Sequence, residues 1–318
     1  MEALIEITVR GIAVGSMYGV VALGFVTVYR ATGILNFAHG VLGAAGALFM
    51  ASMVGDGGLG IVRLRGANPL GRFAGSLWGW SANLVLAVVL AALFAMVIER
   101  VAIRPMLGRS QFAMLLATVG VSIPVGVLLR EAPIPRHLHT PWAARTWQVG
   151  DALVAQSYVP MMVMAIVAFA GVYAFTRTRW GLMTRAFSSD HEVAASVGID
   201  AAFVSRLSWA MAGALATIAA VGLSFSPEAT GAVAVASVPG LFFRALPILA
   251  LGGWDSYGGA LLGGLAIGLL QTSTGRLLSG WAGVLGAGFP IILPYVVMIL
   301  VLAVRPTGLF GERRIRRV

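Results

Sequence analysis

Nine apolar runs organise this chain, at 11–29, 36–54, 82–99, 112–130, 158–176, 207–225, 238–253, 257–272 and 288–304. Crossing a hydrocarbon core of ~30 Å takes about 20 mostly apolar residues in a helix. Seven of the runs come close to that length and each predicts a membrane helix. The pair 238–253 and 257–272 is shorter, rich in glycine and joined by Gly252-Gly253-Trp254-Asp255-Ser256. It reads either as two crossings or as one re-entrant hairpin, the latter tolerated only where protein or a water-filled cavity covers the backbone. The pattern predicts an all-α polytopic membrane protein of eight or nine membrane helices. It leaves no room for a separate soluble unit, so residues 1–318 read as a single transmembrane domain.

The segments between the runs set the orientation. With loop 177–206 placed in the cytoplasm, 13 of the 22 arginines fall inside, 8 fall outside and Arg244 stays within a span. That bias matches the excess of basic residues in cytoplasmic loops. The cluster Arg313, Arg314, Arg316 and Arg317 puts the C-terminus inside and hence the N-terminus outside. Loops 55–81 and 131–157 then lie on the outer surface, where Trp78, Trp80, Trp142 and Trp147 suit the membrane–water interface. The first residues carry Glu2 and Glu6 and no basic cluster, so the first run reads as a retained helix and not a cleaved leader.

Composition agrees and narrows the chemistry. The chain is 59% hydrophobic and 11% charged, against roughly 45–50% and about 25% for soluble domains. The net charge of +10 sits in short loops and the tail, a distribution that fits an anionic inner leaflet and not nucleic acid. There is no cysteine, hence no disulfide and no thiolate metal site, and no lysine. A nucleotide-binding P-loop requires a lysine, so any ATP must be bound by another chain.

Forty-one glycines signal close helix approach. Gly15 and Gly19, Gly259 and Gly263, and Gly264 and Gly268 are each spaced to put small residues on one helix face. Polar residues inside apolar runs are costly and point to function by default. Asn36 and His39 are three apart and share a face; they either brace a helix end or meet a transported solute, and the position of His39 near an end favours bracing. Arg244 is available to pair with Asp255 or with a substrate carboxylate, although eleven residues of unbroken helix would keep it from Asp255. His137 and His139 stand in an outer loop without the third ligand that a zinc site needs, and no metal site is expected.

The inner loop Arg185–Asp200 carries the densest signal. Ser189 and Glu192 have capping-box spacing, which predicts a short helix starting at Ser189. Gly198 is placed to end it in the left-handed conformation. Ala194, Ala195 and Gly198 leave one face almost bare. Such a helix serves either to dock in a groove of another protein or simply to link two spans.

Six stretches together resemble permease subunits of the branched-chain amino-acid ABC importers, the LivH type. They are Gly33–Gly40, Arg104–Ser110, Ala117–Ser122, Arg185–Asp200, Leu251–Ala260 and Arg305–Gly311. The resemblance implies a pore subunit with no cofactor of its own, in the bacterial inner membrane. It works with ATP-binding-cassette ATPase subunits, a second homologous permease and an extracytoplasmic solute-binding protein. It also implies that Glu192, Ala194, Ala195 and Gly198 belong to the loop that meets the ATPase. The two outer loops and Trp254-Asp255 depart from the family pattern. Phe37, where related urea permeases carry methionine, favours amino acids over urea or short amides.

Two other classes make different demands. An intramembrane enzyme needs a clustered base, nucleophile or metal, and no spacing in the chain provides one. A solitary ion-coupled carrier needs an intramembrane carboxylate, for which Asp255 is the sole candidate. The reading is therefore a non-enzymatic permease whose pathway draws on Asn36, His39, Arg244 and Asp255.

Overall fold

A computed structural model describes residues 2–55, 75–132, 137–142, 145–150, 152–226, 229, 238–278, 288–305 and 308–311. Its helices are α1 (Glu2–Thr32), α2 (His39–Gly55), α3 (Leu77–Ile98), α4 (Gln111–Glu131), α5 (Tyr158–Thr176), α6 (Arg179–Ser189), α7 (His191–Ser196), α8 (Ala201–Ser224), α9 (Val238–Gly252), α10 (Tyr257–Leu277) and α11 (Phe289–Val304). Five stretches are long and apolar enough to cross a membrane: Leu4–Thr32, Leu77–Met106, Gln111–Glu131, Tyr158–Thr176 and Ala201–Ser224. Shorter apolar helices cover His39–Gly55, Phe243–Gly252 and Phe289–Val304. Every apolar run of the sequence thus becomes a helix. The outer loop 55–81 lies mostly outside the described residues, as do Arg313, Arg314, Arg316 and Arg317.

α1 is the axis of the bundle. It packs against α10, α8, α5 and α9, and 89% of its most apolar window is buried. Glycine makes the closest of these approaches possible. A Cβ on Gly264 would stand 2.4 Å from the Gly19 nitrogen and 2.7 Å from the Gly15 oxygen, and one on Gly268 would stand 2.2 Å from Gly15 Cα. α1 and α10 therefore touch backbone to backbone. Lipid tails are as apolar as leucine, so helices in a membrane associate through this kind of close van der Waals fit. The α2–α8 and α3–α8 seams repeat the device, with Gly43 on Ala216 and Gly213 on Ala91.

α3, α4, α5 and α11 form the periphery. On α3, Asn83, Ala87, Ala91 and Ala95 face inward at every fourth position, while Val85, Val89, Leu93 and Val97 face out. Each exposed row is the lipid-facing stripe expected of an outer membrane helix. α3 continues into a π-helical turn at Glu99–Ile103 and a short 3-10 turn at Arg104–Met106.

Helix starts follow local capping chemistry. Ser76, Ser110, Thr178, Asp200 and Ser256 each accept a backbone N–H of the first turn of α3, α4, α6, α8 and α10. One element departs from the all-α expectation. β1 (Thr146–Val149) and β2 (Ala152–Ala155) form an antiparallel hairpin in the 131–157 loop, with Trp147 opposite Val154. Gly150, at φ 65, makes the turn.

Candidate functional site

Several of the six singled-out stretches, far apart in sequence, meet in pairs: Phe37 with Thr118, and Leu251 with Leu309. α1 runs the length of α10 in the opposite direction. At one end Glu6 pairs with Arg276 at 3.4 Å. At the other, the Arg30 guanidinium lies over the Tyr257 ring at 4.8 Å, and Tyr29 meets Trp254. This second end holds the C-terminus of α1 and the α9–α10 turn.

The segment between α1 and α2 is more unusual than its sequence suggests. The His39 ring lies against Gly24, where a Cβ would meet its Cε1 at 2.2 Å, and against Phe25 with ring centroids 4.4 Å apart. Gly24 is eight residues before the end of α1, a rise of about 12 Å. Residues 33–38 therefore fold back into the protein before α2 begins. Non-helical backbone at such depth must be satisfied by protein. Asn36, fully buried, does part of this: its Oδ1 accepts the Ala38 N–H at 3.0 Å, and its carbonyl accepts the His39 N–H at 3.1 Å. Thr118 of α4 adds to this, accepting the Phe37 N–H at 3.2 Å and donating to the Leu115 carbonyl at 2.8 Å. The Gly33–Gly40 and Ala117–Ser122 stretches are two halves of one structure. Run 36–54 begins as re-entrant coil, and helix starts only at His39.

Residues 308–311, the described end of the Arg305–Gly311 stretch, strap the α9–α10 turn. Leu309 N donates to the Leu251 carbonyl at 2.8 Å, and a Cβ on Gly253 would meet Gly311 N at 2.6 Å. Gly253 also has φ +88, so glycine is required there twice over.

The inner loop forms α6 and α7. The capping-box expectation is corrected here. Ser189 is still helical in α6 and donates to the Arg185 carbonyl, while Asp190 is extended and its Oδ1 accepts the Val193 N–H at 3.0 Å. Asp190 is thus the cap, and α7 begins at His191. The other end is as expected. Gly198, at φ +85, donates to Ala195, and Ile199 donates to Ala194, which is the Schellman pattern.

The bare-face expectation changes too. Ala194 points into the protein, packed with Ala31, Phe187 and Val204. Ala195 and Gly198 are exposed, and the outward row is Val193, 59% exposed, and Val197, 71% exposed. Glu192 belongs to the first turn of α7.

Arg244 and Asp255 are not brought together: no ion pair joins them among the described residues. Asp255 is half-buried in the α9–α10 turn. Arg244 Nη1 instead donates to the Tyr18 hydroxyl at 3.4 Å, and that hydroxyl donates to Gln271 Oε1 at 2.9 Å. Reading the sequence missed Tyr18 and Gln271 because Tyr18 lies 226 residues from Arg244 and 253 from Gln271. It also missed Glu99, fully buried with Oε1 4.0 Å from Arg104 Nε. Among the described residues no three His, Asp or Glu side chains assemble at metal-ligand distance.

Comparison with known proteins decides the family. A family model described as the branched-chain amino acid transport system permease component matches residues 7–303. The chain belongs to this family. The permease is 28% identical to the high-affinity branched-chain amino acid transport system permease protein BraD of Pseudomonas aeruginosa, over 98% of this chain and 96% of that protein. It is 26% identical to LivH of Escherichia coli K12, over 97% of this chain and 96% of that one. A nucleoside ABC transporter permease protein, NupC of Lactococcus lactis, matches at 28% identity over about half of each chain. The permease is thus an α-helical membrane protein of a transport family.

Proposed function

We propose that this permease forms the translocation pathway of an ATP-driven importer for branched-chain or related amino acids. Its membrane helices include α10 as a full crossing, since 21 residues rise about 31 Å beside α1. The chain is one membrane domain of a bacterial inner membrane, with the N-terminus outside and the α7 end in the cytoplasm. It binds no cofactor and catalyses no reaction; ATP is held by separate ATPase subunits. A second homologous permease completes the pathway, and an extracytoplasmic binding protein delivers the solute.

The observation that carries this reading is α7. It is a short helix capped at both ends, anchored inward by Ala194 and presenting Val193 and Val197 to an outside groove. Ala31 ties it to α1, so a push on α7 reaches the axis of the bundle. ATP binding in a partner seated here would shift the permease between its conformations through differential contact with α7. Asn36 and His39, packed into the start of α2, brace the pathway wall, and Asp255 belongs to the inner mouth.

Mild-detergent purification of a tagged permease with mass spectrometry of its companions tests the assembly. An ATPase and a second permease are expected. A chain that runs alone would sink the importer reading and favour a solitary carrier. Glu192→Lys and Val197→Asp test the docking: membrane insertion is expected to persist while the ATPase is lost and uptake stops. Normal uptake in both variants would remove α7 from the coupling role.

A further inference from the structure

From the polar triad inside the membrane helices we infer that Arg244, held by Tyr18 and Gln271, is a station for the carboxylate of the passing solute. The inference rests on the permease reading above. Three helices build the triad: Arg244 from α9, Tyr18 from α1 and Gln271 from α10. The order of donation is fixed. The Tyr18 hydrogen goes to Gln271 at 2.9 Å, which turns an oxygen lone pair toward the guanidinium at 3.4 Å. The tyrosine thereby orients an arginine.

An arginine carries five N–H donors in a planar fork. Here one is engaged by Tyr18, and among the described residues the guanidinium has no carboxylate partner. The remaining donors match the two oxygens of a carboxylate in a bidentate pair. Arg244 lies in the interior of α9, eight residues from its Gly252 end, and is exposed from the surface of this chain. On the same helix Ala245, Ile248 and Leu249 are buried against the bundle. A cation at that depth is costly against lipid, by about 3 kcal/mol on insertion scales, and intramembrane arginines face protein or water-filled cavities. The open side of Arg244 is therefore the wall of a polar passage and not a lipid contact. An amino acid presents the required carboxylate at one end.

The test uses the assembled transporter in nanodiscs, without nucleotide or binding protein. Saturation-transfer NMR reads weak binding of free leucine and of leucinamide, which lacks the carboxylate charge. Leucine is expected to give a signal at least about tenfold stronger than leucinamide. Arg244→Gln brings leucine down to the leucinamide level, Arg244→Lys retains part of the difference, and Tyr18→Phe reduces it a few-fold. Equal signals for the two probes, or an unchanged leucine signal in Arg244→Gln, overturn the station. So does loss of the two-permease assembly in that variant, since Arg244 would then be an interface residue. ATP-driven leucine uptake by the wild-type complex separates the two levels. Uptake without the carboxylate preference removes only the station, whereas absence of uptake removes the importer reading itself.

Discussion

α1 and α4 are both long apolar helices, and they are used in opposite ways. α4 is the more hydropathic of the two, yet 17% of its most apolar window is buried against 89% for α1. In a soluble protein the order would be reversed. Here lipid is the apolar phase, so high hydropathy marks the helix that faces out, and small residues mark the helix that faces in. α1 is held by backbone contact at Gly15 and Gly19. α4 is held to the α1–α2 connection by one hydroxyl, Thr118.

The contrast can be broken most severely on the α1 side. Gly264→Ala puts a methyl group within 2.4 Å of α1 backbone that no side-chain rotation can relieve. Overpacking of that kind costs about 3 kcal/mol or more. A large drop in the melting temperature of the detergent-solubilised permease is expected, while Gly120→Leu on α4, where nothing lies within 4 Å, leaves it unchanged. Equal behaviour of the two would end the distinction. Next comes Ala194→Leu, which enlarges a buried side chain between α7 and Ala31. It is expected to cost about 1–3 kcal/mol and to expose the α6–α7 segment to limited proteolysis.

On the α4 side, Thr118→Val keeps the shape and removes the acceptor of the part-buried Phe37 N–H, for about 1 kcal/mol. Hydrogen exchange at residues 33–38 should quicken while the α1–α10 seam stays protected. The smallest effect belongs to Glu6→Gln. That residue pairs with Arg276, whose side chain is 57% exposed, and partly exposed pairs are worth about 0–1 kcal/mol. A shift larger than that in the melting curve would mean the helix ends are more tightly coupled than the packing indicates.

Much of the fold could be read from hydropathy, because a membrane helix needs only length and apolarity. The run 158–176 coincides with α5, and 112–130 differs from α4 by one residue at each end. What escaped were places where local chemistry competes. Asn36-Phe37-Ala38 looks continuous with the apolar run after it, but Asn36 hydrogen-bonds its own backbone and delays the helix to His39. Ser189 and Asp190 are both good caps, and spacing alone chose the wrong one. The hairpin at 146–155 did carry a signal, Gly150-Asp151 between two short strand-forming runs. The Arg244 triad carried none, since nothing local links it to Tyr18 or Gln271. The meeting of Phe37 with Thr118 and of Leu251 with Leu309 was equally invisible along the chain.

The strap across the α9–α10 turn has a consequence for biosynthesis. Leu251 waits for Leu309, which is made 58 residues later. At about 5–20 residues per second the interval is roughly 3–12 s. During that time α9 and α10 can enter the bilayer and meet α1 with their turn still open. The strap is therefore among the last contacts to form, so a nascent chain arrested before residue 308 should carry the α1–α10 packing with the α9–α10 turn still open.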